Sequence, residues 1–247
     1  MTFSFPEHHA LVTGGTSGIG KAVTLAFAAS GCRVTATGRT QDEVAAFADS
    51  PETKPLRDLI RAMPLDVTDA PAVEALAAGF DRLDFLVNSA GTIRRGGEEF
   101  QLDAFEQVID VNLTGAMRLC TACKPLLARR GGAIVNVASV LSFFGSGTAP
   151  AYSASKGGLV QLTKSLAVGW AAEGVRVNAV APGWVKTPLT QPLRDDDHRS
   201  RAILERTPMR RWAEPAEIAP AVLFLCSPAA AFITGVVLPV DGGYCAG

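Results

Sequence analysis

Near the amino terminus a short apolar run, Ala10-Leu11-Val12, leads directly into Thr13-Gly14-Gly15-Thr16-Ser17-Gly18-Ile19-Gly20, and a second apolar stretch follows from Ala22 to Ala29. Buried strand, glycine turn and helix in that order admit few folds. Glycines at the turn allow a tight reversal and close approach of backbone to a ligand. The start of the following helix offers free amide donors and the positive end of its dipole. The segment is suited to a pyrophosphate. Its spacing is Gly-x-x-x-Gly-x-Gly, not the Gly-x-Gly-x-x-Gly of dehydrogenases that carry a separate nucleotide domain.

The rest of the chain repeats the alternation. Strand-like runs fall near residues 10–12, 33–37, 62–65, 84–88, 133–137, 175–180 and 236–239, with helical patterning between most of them. Such alternation predicts an α/β fold: a Rossmann-like, doubly wound parallel sheet of seven strands flanked by helices, with right-handed crossovers. The 247 residues contain no Pro/Ser-rich linker or long charge run, so residues 1–247 read as a single dinucleotide-binding and catalytic domain. A chain of this length buries roughly three quarters of its unfolded surface and needs neither disulfides nor metal to hold its core.

A second motif lies past the middle. Tyr152 and Lys156 lie four positions apart, and on a helix they share a face, which brings an ammonium beside a phenol. Lowering a phenol about three units from its usual pKa near 10 takes roughly 4 kcal/mol, which an adjacent cation could largely supply. Tyr152 is thereby expected to exchange protons near neutrality. Ser139 follows the strand-like Ala133-Ile134-Val135-Asn136-Val137 and could donate to the same substrate oxygen.

Several functions are disfavoured. The net charge is -1 with Lys and Arg scattered, which leaves no footprint for nucleic acid. No signal-like amino terminus or apolar stretch of about twenty residues points to a membrane, and a soluble, cytoplasmic protein is expected. The five cysteines show no disulfide pattern. Cys120 and Cys123 fall in a helix-like run from Leu113 to Leu127 and read as buried packing. Only His8, His9 and His198 are present, without metal-ligand spacing, so no metal is expected.

Taken together the motifs resemble the short-chain dehydrogenase/reductase family over essentially the whole chain. Thr13 to Gly20 is similar to its TGxxxGIG turn, Asn88-Ser89-Ala90-Gly91 to NNAG with Ser89 replacing the second asparagine, Asn112 to its catalytic asparagine, and Pro182-Gly183 with Thr187 to its PG motif. The resemblance implies that Tyr152 exchanges the proton, Lys156 lowers its pKa and holds the nicotinamide ribose, Ser139 orients the carbonyl, and Asn112 anchors a relay water. It implies cofactor contacts from Gly14, Thr16, Ser17, Gly18, Ile19, Gly20, Arg39, Asp66, Val67, Asn88, Ala90, Gly91, Pro182, Gly183, Val185 and Thr187. A homotetramer is also implied.

Cofactor and substrate can be narrowed. NAD-preferring relatives carry a carboxylate at the end of the second strand. Here Gly38 holds that place and Arg39 follows, so NADP(H) is preferred, with NAD(H) the alternative. Residues 184–212, polar and proline-punctuated, resemble a mobile substrate lid whose Asp195-Asp196-Asp197 reads as a solvated helix start. Ile93-Arg94-Arg95, Leu141-Ser142-Phe143 and Thr190 to Arg194 resemble the branch of 2-deoxy-D-gluconate 3-dehydrogenases and related keto-deoxy-sugar-acid dehydrogenases. Arg94 or Arg95 would then receive a substrate carboxylate, with Ser139 and Tyr152 at the reacting oxygen. Phe143, Phe144 and Trp184 suit a hydrophobic ketone equally, which keeps a 3-oxoacyl-thioester or small-ketone reductase open. A non-catalytic NADP(H) sensor is the reading from another class. A sugar-nucleotide epimerase or dehydratase would need more chain after Lys156.

Overall fold

The structure, a computed structural model, describes residues 3–247. In chain order the elements are β1 (His9–Thr13), α1 (Gly18–Ala29), β2 (Arg33–Gly38), α2 (Gln41–Ala48), β3 (Ile60–Pro64), α3 (Ala70–Ala78), β4 (Phe85–Asn88), α4 (Leu102–Ile109), α5 (Gly115–Ala128), β5 (Ala133–Val137), α6 (Pro150–Trp170), β6 (Arg176–Pro182), α7 (Gln191–Arg194), α8 (Asp197–Arg206), α9 (Ala219–Cys226) and β7 (Val237–Val240). The seven strands form one sheet in the order β3-β2-β1-β4-β5-β6-β7, with every pairing parallel. The expected doubly wound α/β architecture is present. Each strand overlaps the stretch that sequence patterning assigns to it.

Neighbouring residues of β1 face opposite cores, as a two-residue period requires. Val12 packs with Phe27, Val87, Val135 and Val222 on the α1 and α9 side. Leu11 packs with Leu86, Ile134, Leu119 and Leu166 on the α3, α5 and α6 side. Helices cover both faces, so β4 and β5 are buried at every position and read as mostly apolar runs, broken only by Asn88 and Asn136, instead of alternating ones. Helix starts follow local capping chemistry. Thr40, Asp69 and Asp196 accept from Glu43, Ala72 and Arg199 amides at the heads of α2, α3 and α8. The Asp195-Asp196-Asp197 run is thus the exposed start of a helix, as expected.

The chain reverses its direction of travel across the sheet at β1, which lies between β2 and β4. Ligands bind in the crevice at such a point. Here the Thr13 hydroxyl accepts from the Ser89 and Ala90 amides, each at 3.2 Å. The join uses backbone donors of residues 89 and 90, so a serine at position 89 leaves it intact. Among the described residues no helix is long and apolar enough to cross a membrane.

A buried polar chain ties the sheet to α6. Asn88 Nδ2 donates to Asn136 Oδ1 at 2.8 Å, Asn136 Nδ2 to Thr163 Oγ1 at 2.9 Å, and Thr163 Oγ1 to the Leu159 carbonyl at 2.8 Å. Truncating the middle member leaves polar groups without partners in a dry interior. Asn136→Ala is expected to cost about 2 kcal/mol of stability. A lower urea midpoint at unchanged slope would register that loss.

Candidate active site

The glycine turn is as compact as its sequence suggests. Gly14 adopts φ +61°, and a Cβ there would lie 2.9 Å from Ala90 Cα. A Cβ at Gly20 would lie 2.1 Å from the Gly14 carbonyl oxygen. Larger residues would force the turn open. Ser17 precedes α1 with extended backbone, no side chain caps the helix, and its first turn holds no acidic residue. The head of α1 is therefore left to an anionic ligand.

A cavity of 290 Å³ runs from this turn along the carboxyl ends of the strands. Gly14, Ser17, Gly18, Ile19 and Gly20 line one end, Ala90 and Gly91 the side, and Ser139, Tyr152, Lys156, Pro182, Gly183, Val185 and Thr187 the other. Most of the residues expected to hold the cofactor therefore share one crevice. Other expected residues do not line it. Thr16 packs against Gly38, where a Cβ would lie 2.7 Å from Thr16 Oγ1 and would require the Thr16 side chain to shift. Arg39 is exposed beyond β2, and its charge helps hold the nearby Asp66 carboxyl below its ordinary range, after the hydrogen bonds from Thr68. Val67 packs on Gly115, and Asn88 is buried in the polar chain described above. For Asn88 and Val67 the side chains serve packing and sheet cohesion, which a linear motif does not reveal.

Tyr152 and Lys156 lie one turn apart on α6, with Lys156 Nζ 5.7 Å from the centre of the phenol ring. Lys156 is 4% exposed and donates to the Val137 carbonyl at 2.7 Å. An ammonium has three donors, so two remain for the crevice. Those donors suit ribose hydroxyls, and the residues present fit a dinucleotide. Burial lowers the Lys156 pKa to about 8. The phenol departs from expectation: burial pushes Tyr152 above its ordinary pKa, the Ser139 hydroxyl and Arg95 guanidinium pull it back, and the Glu99 carboxylate pushes it up again. Desolvation outweighs neighbouring charge at this site.

Ser139 caps the turn after β5, with its Oγ accepting from the Leu141 amide at 3.1 Å, which leaves the hydroxyl proton for another acceptor. Asn112 lies where the backbone widens into a π-helical turn over Asp110–Thr114, a departure that helical periodicity alone did not predict. Its amide bonds Thr92 N at 2.7 Å, Thr92 O at 2.9 Å and Ser155 Oγ at 3.0 Å. Both side-chain donors are therefore in use, and the amide latches the loop after β4 to α6.

A second cavity of 590 Å³ opens from Ser139 and Tyr152 toward Arg94, Arg95 and Arg199. No Asp or Glu lines it. Arg94 is exposed at its rim and donates to Gln107 Oε1 at 3.0 Å. Arg95 is half-buried, donates to the Leu189 carbonyl at 2.7 Å, and is the cation that acts on the phenol. Burial and the Arg199 charge both lower the Arg95 pKa. Of the two candidates Arg95, not Arg94, is the better placed. Trp184 stands edge-on to Trp212 and Tyr244, and the Arg206 guanidinium lies 4.3 Å from the Tyr244 ring centre and 4.8 Å from that of Phe144. Arg199, Tyr244 and the buried Glu99 were not read from the sequence, because no short motif links residues so far apart.

The buried lysine implies a trade of stability for chemistry. Its folded pKa lies below the unfolded value, so the unfolded chain binds more protons between pH 8 and about 10.4 and stability rises with pH across that window. Below pH 8 the full penalty applies, roughly 3 kcal/mol. Lys156→Met is expected to raise the melting temperature at neutral pH in the absence of cofactor. Calorimetry across the alkaline range should show the advantage shrinking as pH rises.

Comparison with known proteins agrees with this geometry. A family model described as enoyl-(acyl carrier protein) reductase matches residues 14–245. The chain is 40% identical over 248 residues to a 2-dehydro-3-deoxy-D-gluconate 5-dehydrogenase of Pseudoalteromonas atlantica, covering 98% of this chain and 97% of the relative. It is 43% identical over 257 residues to a cis-4-hydroxycyclohexanecarboxylate dehydrogenase of Sinomonas cyclohexanicum, covering all of both. The crystal structure of a gluconate 5-dehydrogenase from Burkholderia cenocepacia in complex with NADP and tartrate superposes with a TM-score of 0.91 at 32% identity, covering 100% of this chain and 98% of that one. With the glycine turn, parallel sheet and tyrosine-lysine pair in place, the chain belongs to the short-chain dehydrogenase/reductase family of NAD(P)-dependent oxidoreductases.

Proposed function

We propose that the protein interconverts a carboxylated secondary alcohol and its ketone, with NADP(H) preferred over NAD(H). The carrying observation is the 590 Å³ cavity, which joins Ser139 and Tyr152 to Arg95 and Arg199 without an acidic side chain in its wall. Two guanidiniums that raise each other's electrostatic cost, and form no salt bridge among the described residues, favour an anionic ligand. The sugar acid and the cyclic hydroxy acid for which the two relatives are named, and the tartrate in the third protein's structure, all carry carboxylates. Apolar walls from Leu141, Trp184 and Leu193 suit the carbon skeleton of a compact acid.

In the proposed reaction the substrate carboxylate pairs with Arg95, which directs the oxygen at the other end toward Ser139 and Tyr152. Ser139 donates to that oxygen. Tyr152 gives it a proton during reduction and removes one during oxidation. Lys156 holds ribose hydroxyls with its two remaining donors, while Asn112 keeps the Thr92 loop against α6. When bound, the nicotinamide ring gives or takes the hydride. Residues 184–212 form the lid, pinned where Arg206 stacks on Tyr244 and Phe144.

NADP(H) is favoured by the glycine, not a carboxylate, at position 38 and by the Arg39 guanidinium, which has no salt-bridge partner among the described residues. A homotetramer is supported by apolar side chains left in solvent, including Val168 on α6 and Phe232 before β7. Free cysteines suit a cytoplasmic location.

Tyr152→Phe is expected to reduce kcat/KM by about a thousandfold while NADPH binding, followed by fluorescence, stays intact. Retained turnover would end the proton-carrier assignment. Arg95→Gln should raise KM at least about tenfold for keto-sugar acids or 4-oxocyclohexanecarboxylate, and leave cyclohexanone little changed. Preferential turnover of 3-oxoacyl thioesters in the same panel would favour the other reductase reading, and turnover of nothing would favour a sensor. For the cofactor, Arg39→Ala should weaken NADPH about tenfold in titration calorimetry and spare NADH.

A further inference from the structure

Glu99 is a buried carboxylate, 1% exposed, without a salt-bridge partner among the described residues. Its two oxygens hold two backbone amides from distant parts of the chain. Oε1 accepts from Arg94 N and Oε2 from Tyr152 N, both at 2.9 Å. The first partner belongs to the loop that carries Arg95. The second is the first turn of the helix that carries the phenol. Gly96 and Gly97, at φ +68° and +85°, let the chain double back between Arg95 and Glu99.

The head of α6 cannot satisfy itself. Ala149 precedes it with no side-chain hydrogen bond, and Pro150 has no amide hydrogen. Glu99 therefore supplies, from 53 residues earlier in the chain, the acceptor that a Ser or Asp at the cap would ordinarily provide. Its negative charge also meets the positive end of the helix dipole. A carboxylate is costly to bury, and an apolar side chain would fill the space more cheaply unless the two bonds are needed.

Four groups surround the phenol: Arg95 from the loop after β4, Glu99 from behind that loop, Lys156 from the next turn of α6, and the uncharged Ser139 from the end of β5. Arg199, from α8, faces Arg95. We infer that Glu99 is a positioning residue that locks the Arg94-Arg95 loop to the first turn of α6, fixing the guanidinium that receives the substrate carboxylate relative to the phenol that moves the proton. This inference deepens the carboxylated-substrate reading and rests on it for the role of Arg95.

The two substitutions that separate positioning from mere stability are Glu99→Gln and Glu99→Asp. Glutamine keeps the shape but turns a nitrogen toward one amide, so one bond is lost along with the charge. Aspartate keeps the charge and is too short to reach both amides. Each variant is assayed, as folded protein quantified by circular dichroism, for NADP+-linked oxidation of 4-hydroxycyclohexanecarboxylate and of cyclohexanol across the neutral to alkaline range.

Glu99→Gln is expected to lower kcat on both alcohols and to raise KM for the carboxylated one alone, each on the order of tenfold, since a misplacement of about 1 Å can cost as much as a hundredfold. Its alkaline activity limb should move to lower pH, because a negative charge opposing the phenolate has gone. Glu99→Asp should share the kcat and KM losses and keep the wild-type limb. Wild-type constants and limb in both variants, whatever their melting temperatures, would overturn the inference. Should Glu99→Gln not fold, the kcat and KM of Glu99→Asp decide alone. If the wild type shows no preference for the carboxylated alcohol, the substrate reading fails, and kcat and the pH limb on cyclohexanol still decide the role of Glu99.

Discussion

One hydrogen bond, from the Lys156 ammonium to the Val137 carbonyl, determines where chemistry can occur in this fold. It fastens the first half of α6 to the exit of β5, and Ser139 follows only two residues after that carbonyl. The bond is made by a cation withdrawn almost wholly from water, for which one carbonyl is poor compensation. The low Lys156 pKa records the deficit. Packing on both faces of the sheet must absorb it, and the fully buried strands β4 and β5 contribute to that surplus. The site is thus stable because its surroundings are, not because its own contacts favour folding.

The same burial governs the tyrosine. A nearby ammonium, considered alone, predicts an acidic phenol, yet the phenol stands above its ordinary range because desolvation is the larger influence. Ser139 and Arg95 work against burial and Glu99 works with it. The proton affinity of the phenol is therefore a balance among residues from the β5 exit, the loop after β4 and the buried carboxylate behind it. Ser139 and Arg95 also line the cavity beside the phenol, whereas Glu99 lies behind it and bears on the proton affinity from outside the cavity.

Fold and cofactor crevice were legible from sequence because their signals are local. The turn from Thr13 to Gly20 and the spacing of Tyr152 and Lys156 are short enough for a glycine pattern or a helical period to report them. The strands were legible because both faces of most of the parallel sheet are covered, which leaves short runs dominated by apolar residues. What could not be read depends on long-range contact. Asn88 and Val67 lie within recognisable motifs yet pack inside the protein. Asn112 lies in a π-turn that a simple helical period does not encode, and its amide is committed to Thr92 and Ser155. Glu99 resembles any acidic residue near a surface turn until the fold brings the Tyr152 amide to it.

The two ends of the site differ in how they are held. At the cofactor end, side chains project from strand exits and from α6, and Gly14, Gly20 and Gly183 leave no room for a Cβ, so their identities are tightly constrained. At the substrate end the wall is made by loops after β4, β5 and β6, which can change without disturbing the sheet. Arg95 shows how the two are joined. Its loop is held from beneath by Glu99, through a backbone amide, and from above by the Leu189 carbonyl, also backbone. Because the Leu189 segment grips the guanidinium through its main chain, side chains there can vary while the Arg95 guanidinium stays in register with the phenol, which is what the proposed capture of a carboxylate requires.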